Sequence, residues 1–189
     1  MPGRTDDFGR YGAQGERGSQ AAARVLDSLA GGIASPVTTR RGLSARLRYL
    51  TRSKAGHQAM QEAGITVTLR TLKAWLAGKQ RPNKANLAKI DTAYWTLRRK
   101  NVAKYLLRRL NANGGTRVEI HPVDQSHVPI PRQRILEYRR LNIRHWDAIV
   151  DAWMRGDTRA LDDAWIDQMV NLGSQWGKYE YVTSVGFAA

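Results

Sequence analysis

The chain has no cysteine, which excludes disulfides and thiolate metal sites and is compatible with a reducing compartment. It also lacks long apolar runs. None approaches the roughly 18 residues that a transmembrane helix requires, and the N-terminus has no apolar stretch of the secretory kind. Acidic residues are scarce in one place: residues 40–110 hold two, Glu62 and Asp91, against 18 Lys and Arg. The flanks are nearly neutral, with four bases and four acids in 1–39 and nine bases and ten acids in 111–189. The net charge of +15 is therefore the property of a single segment. A positive field confined in this way points to a polyanionic partner, because solubility alone makes no such demand.

Signatures of catalysis are missing as well. There is no P-loop, no paired nucleophile and base, and no acidic motif of the polymerase type. His57, His121, His127 and His145 are scattered without carboxylates at metal-ligand spacing. Asp147, Asp151, Asp157, Asp162, Asp163 and Asp167 form an acidic set across two helices that could hold a divalent cation, but Asp157, Asp162 and Asp163 read more simply as helix caps and solvated faces. The expectation is a protein that is not an enzyme, has no metal or cofactor, avoids membranes, and resides in the cytoplasm in association with the nucleoid.

What the chain does have is 42% hydrophobic residues and six Trp in 189 positions, enough for one domain or two small ones. The fold class expected is mainly α with a small α+β part. Residues 1–39 read as a Gly- and Arg-rich disordered arm and linker, with a short helix near Gln20–Leu29. Residues 40–110 read as a basic helical domain. Leu43, Leu47 and Leu50 share one helical face, a second helix runs from about Gly56 to Glu62, and Thr68 caps a third that ends at Ala77 before Gly78. That third helix is assigned an apolar face of Leu69, Leu72 and Leu76. Leu87, Ile90 and Tyr94 mark a fourth, continuing or restarting toward Leu110, and Asn111–Gly115 is a strong stop. Residues 115–189 read as strand, helix, helix, strand: a strand near 117–123, helices at about 132–154 and 158–172, and a closing strand at 179–187.

One polar-faced helix between a turn and a Gly-Lys loop is the arrangement helix-turn-helix proteins use to place a helix in the major groove. The string Thr71-Leu-Lys-Ala-Trp-Leu-Ala-Gly-Lys-Gln-Arg-Pro82, followed by Leu87-Ala-Lys-Ile90, resembles the lambda-repressor-like (XRE-type) helix-turn-helix family. Gly64 and Trp75 are eleven positions apart, a longer spacing than the family pattern, so the turn is longer or Gly64 is not the family's turn glycine. The resemblance implies DNA binding. Candidates for base contact are Thr66, Thr68, Arg70, Thr71 and Lys73, with Arg70 foremost because a bidentate Arg–guanine pair is the commonest specific contact. Candidates for phosphate contact are Arg46, Arg48, Arg52, Lys54, Lys79, Arg81, Lys84, Arg98, Arg99 and Lys100.

A second resemblance is to the terminal proteins that cap linear chromosomes and plasmids of actinobacteria. It rests on Arg48-Tyr-Leu50, the Gly64–Pro82 unit, Asn113-Gly-Gly115 before a Val-x-Ile strand, and the closing Tyr181-Val to Phe187. It implies telomere binding and priming of DNA synthesis by a side-chain hydroxyl, for which Thr116 is the positional candidate, and a DNA polymerase or telomere-associated protein as partner. A third reading takes Trp146, Trp153, Trp165 and Trp176 as an interaction surface of a self-associating C-terminal domain. The leading expectation is a protein that binds duplex DNA of a mobile element, phage or linear replicon, acting in transcription regulation or replication, with a homo-oligomer formed through residues 115–189.

Overall fold

A computed structural model describes residues 7–171 and 177–188. The elements in order are β1 (Glu16–Arg17), α1 (Gly18–Leu29), α2 (Arg40–Thr51), α3 (Lys54–Glu62), α4 (Leu69–Leu76), α5 (Lys84–Asn111), β2 (Thr116–Pro122), β3 (Arg139–Ile143), α6 (Asp147–Arg155), α7 (Thr158–Asn171) and β4 (Tyr181–Ala188). The protein is mainly helical with a small four-stranded antiparallel sheet. Two compact units form, one of Ala30–Val102 and one of the described residues on either side of it.

In the Ala30–Val102 unit, α2, α3, α4 and the first part of α5 surround one core. Leu43, Leu47 and Leu50 meet Met60, Ile65, Leu72 and Trp75, and Leu87, Ile90, Tyr94 and Leu97 close it. Hydroxyls cap three of the helices: Thr39 Oγ1 accepts from the Gly42 amide at 3.0 Å, Ser53 Oγ from Gly56 at 3.1 Å and Thr68 Oγ1 from Thr71 at 3.3 Å. Gly78, at φ +68°, follows the end of α4 in the left-handed conformation that terminates a helix at least cost in glycine. The segment 30–39, expected as linker, is fastened down. Tyr94 Oη accepts from the Ile33 amide at 2.9 Å, and the Arg98 guanidinium donates to the carbonyls of Ala30 and Gly31.

In the other unit the sheet order is β1-β4-β2-β3, with Val118 opposite both Leu141 and Phe187. Two strands expected at the start and end of this region are β2 and β4. The helix expected at 132–154 is not formed as such. Ile130–Arg132 is a short 3-10 turn, Arg139–Ile143 is β3, and the helix α6 starts only at Asp147. Leu141 and Ile143 are buried while Arg140 and Asn142 are exposed, a two-residue alternation too short to stand out against helical spacing until β2 supplies its partner.

The N-terminal residues also depart from expectation. Residues 7–29 are integral to this unit rather than an arm. β1 pairs with β4, Phe8 stacks on Tyr181 with ring centroids 3.8 Å apart, and α1 packs on β4 and α7. Buried Asp162 takes Arg17 and Ser19 at 2.8 Å each. The expected boundary at 111–115 moves to within α5. Ala103, Leu106 and Leu110 are buried, and Asn111 Oδ1 accepts from the Trp146 amide at 3.0 Å, so the end of α5 belongs with the sheet. Among the described residues, no helix is long and apolar enough to cross a membrane.

Candidate nucleic-acid interface

The Ala30–Val102 unit holds 15 Lys and Arg against two acids, and both acids are engaged. Asp91 Oδ1 accepts from Arg46 Nε at 2.7 Å, and Glu62 Oε1 accepts from Gln58 Nε2 at 2.9 Å. The charge remaining is cationic and mostly exposed.

The helix α4 divides sharply. Leu72 and Trp75 are buried and Leu76 half-buried, facing α2 and the core, whereas Arg70 and Lys73 are exposed. Arg70, Thr71, Lys73, Ala74 and Ala77 follow each other along the outer side and, with Lys79 and Gln80, line one shallow depression. Small Ala74 and Ala77 keep that surface open between the cations. Leu69, assigned to the apolar face, is instead 63% exposed, because the inward stripe runs through Leu72, Trp75 and Leu76.

The five residues expected at bases are not equivalent. Arg70, Thr71 and Lys73 share the depression. Thr68 caps α4, and its hydroxyl lies 3.1 Å from that of Thr71, so it positions Thr71 as well as the helix start. Thr66 is exposed in the turn outside the depression.

The expected phosphate contacts divide further. Arg48, Arg52, Lys54, Lys79, Arg81, Lys84 and Lys100 are exposed. Arg46 is not available: it is 5% exposed, and its guanidinium donates to Asp91, to Ser35 O at 2.7 Å and to Gly42 O at 3.2 Å. Arg98 is occupied by the carbonyls of Ala30 and Gly31, and Arg99 is half-buried with its guanidinium 5.6 Å from the Trp95 ring centroid. Arg40 went unremarked in the sequence. It lies at the start of α2, yet a methyl on Gly78 would come within 3.6 Å of its guanidinium, a juxtaposition made only by packing of α2 on α4.

In the other unit the named residues are structural. Trp146, Trp153 and Trp165 are core, with exposures of 0%, 2% and 0%. Their indoles donate to Ile143 O, Asp27 Oδ1 and Tyr179 O. Large rings with satisfied N–H groups under a small sheet are what gives so short a segment a core, and they offer no surface to a partner. Trp176 lies outside the described residues, as does Leu172. Thr116 is 4% exposed and its hydroxyl donates to Leu110 O at 2.7 Å, so it joins α5 to β2 and is not presented to a nucleotide. Among the described residues, no group of three or more His, Asp and Glu gathers at metal-binding distance. No family model, curated protein or solved structure matches the chain.

Proposed function

We propose that the Ala30–Val102 unit binds duplex DNA through a helix-turn-helix formed by α3 and α4, with the outer side of α4 directed into the major groove. The observation that carries this reading is the division of α4: a buried inner stripe, and an outer depression lined by Arg70, Thr71, Lys73, Ala74, Ala77 and Lys79. A recognition helix needs this combination, since it must pack on one side and bring polar termini to base edges on the other. The surrounding exposed cations supply phosphate attraction, and the two acids of the unit are outnumbered by 15 Lys and Arg. The protein acts in this reading as a binding protein rather than an enzyme. Self-association through the C-terminal unit finds no support in Trp146, Trp153 or Trp165, and priming finds none in Thr116.

Duplex affinity is expected to fall steeply with salt, with a log–log slope on the order of −5 for about six neutralised phosphates. A flat salt response, measured by fluorescence anisotropy, sinks the reading. Selection of bound duplexes from a random pool then tests α4. Arg70→Ala is expected to flatten preference at one guanine, equivalent to about 1–3 kcal/mol of discrimination, while overall affinity changes less.

A further inference from the structure

Trp75 is 5% exposed, and its indole Nε1–H is the one buried side-chain polar atom without a hydrogen-bond partner among the described residues. Trp146, Trp153 and Trp165 by contrast all donate to an oxygen. A buried donor is ordinarily paired, and one that is not is a place where an added acceptor would gain a hydrogen bond.

The surroundings say what kind of acceptor. Trp75 lines a cleft between the start of α2 and the loop that follows α4, together with Thr38, Arg40, Ser44, Arg48 and Arg81. Three arginines line it, and no carboxylate does. Arg81 is oriented by donating one N–H to Thr38 O at 2.6 Å, and Arg40 and Arg48 are exposed with no acidic partner in the cleft. The first amides of α2 add the positive end of a 12-residue helix to the same place. Charged donors are abundant here and a charged acceptor is lacking.

We infer that this cleft binds one phosphate group, with Arg40, Arg48 and Arg81 supplying charge and Trp75 Nε1–H a directional hydrogen bond to one phosphate oxygen. Nε1 is covered from solvent, so that bond requires a local rearrangement that uncovers it. Assigning the phosphate to a DNA backbone rests on the function proposed above, whereas the anion site does not. Bound there, a phosphodiester would sit beside the loop residue Gln80, which lines both this cleft and the depression on α4. One backbone contact would thereby set the register of α4 on the duplex.

The test follows the indole N–H resonances of the full-length protein by heteronuclear NMR, with the Trp75 signal assigned by its loss in Trp75→Phe. Inorganic phosphate is titrated against a chloride control at equal ionic strength, and a short duplex is titrated separately. The Trp75 signal is expected to move in a saturable way with phosphate and with duplex, more than the other five indoles. Arg48→Ala and Arg40→Ala are each expected to weaken the phosphate response about tenfold. A Trp75 signal that ignores both titrants, while the protein still binds duplex, overturns the site and leaves the proposed function standing. A signal that responds to phosphate in a protein that does not bind duplex upholds the site and assigns it to free phosphate.

Discussion

Arg46 and Arg48 stand two positions apart on α2 and have opposite roles. Arg46 is buried, bonded to Asp91, Ser35 and Gly42, with its guanidinium 5.2 Å from the Tyr94 ring centroid. Arg48 is exposed at the phosphate cleft. Arg46→Ala therefore removes the side-chain donor of the Ser35 carbonyl and of the Asp91 carboxylate, and is expected to cost about 2–3 kcal/mol in denaturant unfolding, near the low end for a broken buried pair because Asp91 is partly solvated. The salt slope of DNA binding by the folded protein stays unchanged. Arg48→Ala is expected to do the reverse, leaving stability within about 0.5 kcal/mol and reducing the slope by about one. Equal effects of the two substitutions on stability would refute the division. The sequence held a clue to it: Arg46 follows Leu43 by three and precedes Leu50 by four, which puts it on the apolar stripe. Charge counting treats every cation alike and does not separate Arg46 from Arg48.

Elements in the basic unit were legible because their signals are local. Thr68 before α4, Gly78 after it and the Leu43–Leu50 stripe each act within one or two turns of helix. β3 was not, because Leu141 and Ile143 become a strand only by pairing with Val118 and Thr116, more than twenty residues away. A close contact between α2 and α3 is likewise silent in composition. A methyl on Gly56 would lie 1.8 Å from the Leu50 carbonyl oxygen, so the first turn of α3 sits directly on the end of α2. Gly56→Ala, which elsewhere in a helix would be favourable, is expected here to destabilise the unit by about 1–3 kcal/mol through overpacking. A thermal melt showing no loss, or a gain, would mean that α2 and α3 can separate at no cost. Because α3 carries the turn that leads to α4, the same substitution is expected to weaken duplex binding as well.

At the scale of the molecule, the basic segment that dominates the charge is inserted in sequence into a second unit, whose parts lie at both ends of the chain. Composition marked residues 1–20 as too poor in large apolar groups to order themselves, and the physical reasoning holds for that segment alone. What it misses is the template supplied by distant residues. β1 adds to the edge of β4, Gly18 donates its amide to Glu180 O at 2.8 Å, and Leu26 is fully buried. Asp27 receives the Trp153 indole at 2.9 Å, and the hydroxyl of Ser19 reaches buried Asp162. Deleting residues 1–29 therefore removes an edge strand, a core helix and the partners of two buried polar groups. If these residues were a detached arm, deletion would leave the rest unchanged. The structure leads to the opposite expectation, to be read by native-state hydrogen exchange on the deletion variant. Backbone amides of β2, β4, α6 and α7 should lose most of their protection, while those of α2, α3 and α4 keep theirs, since their core is complete within Ala30–Val102. Unchanged protection in β4 and α7 would return residues 7–29 to the status of an arm. Loss of protection throughout α2–α4 would show instead that the basic unit cannot hold its fold without the other.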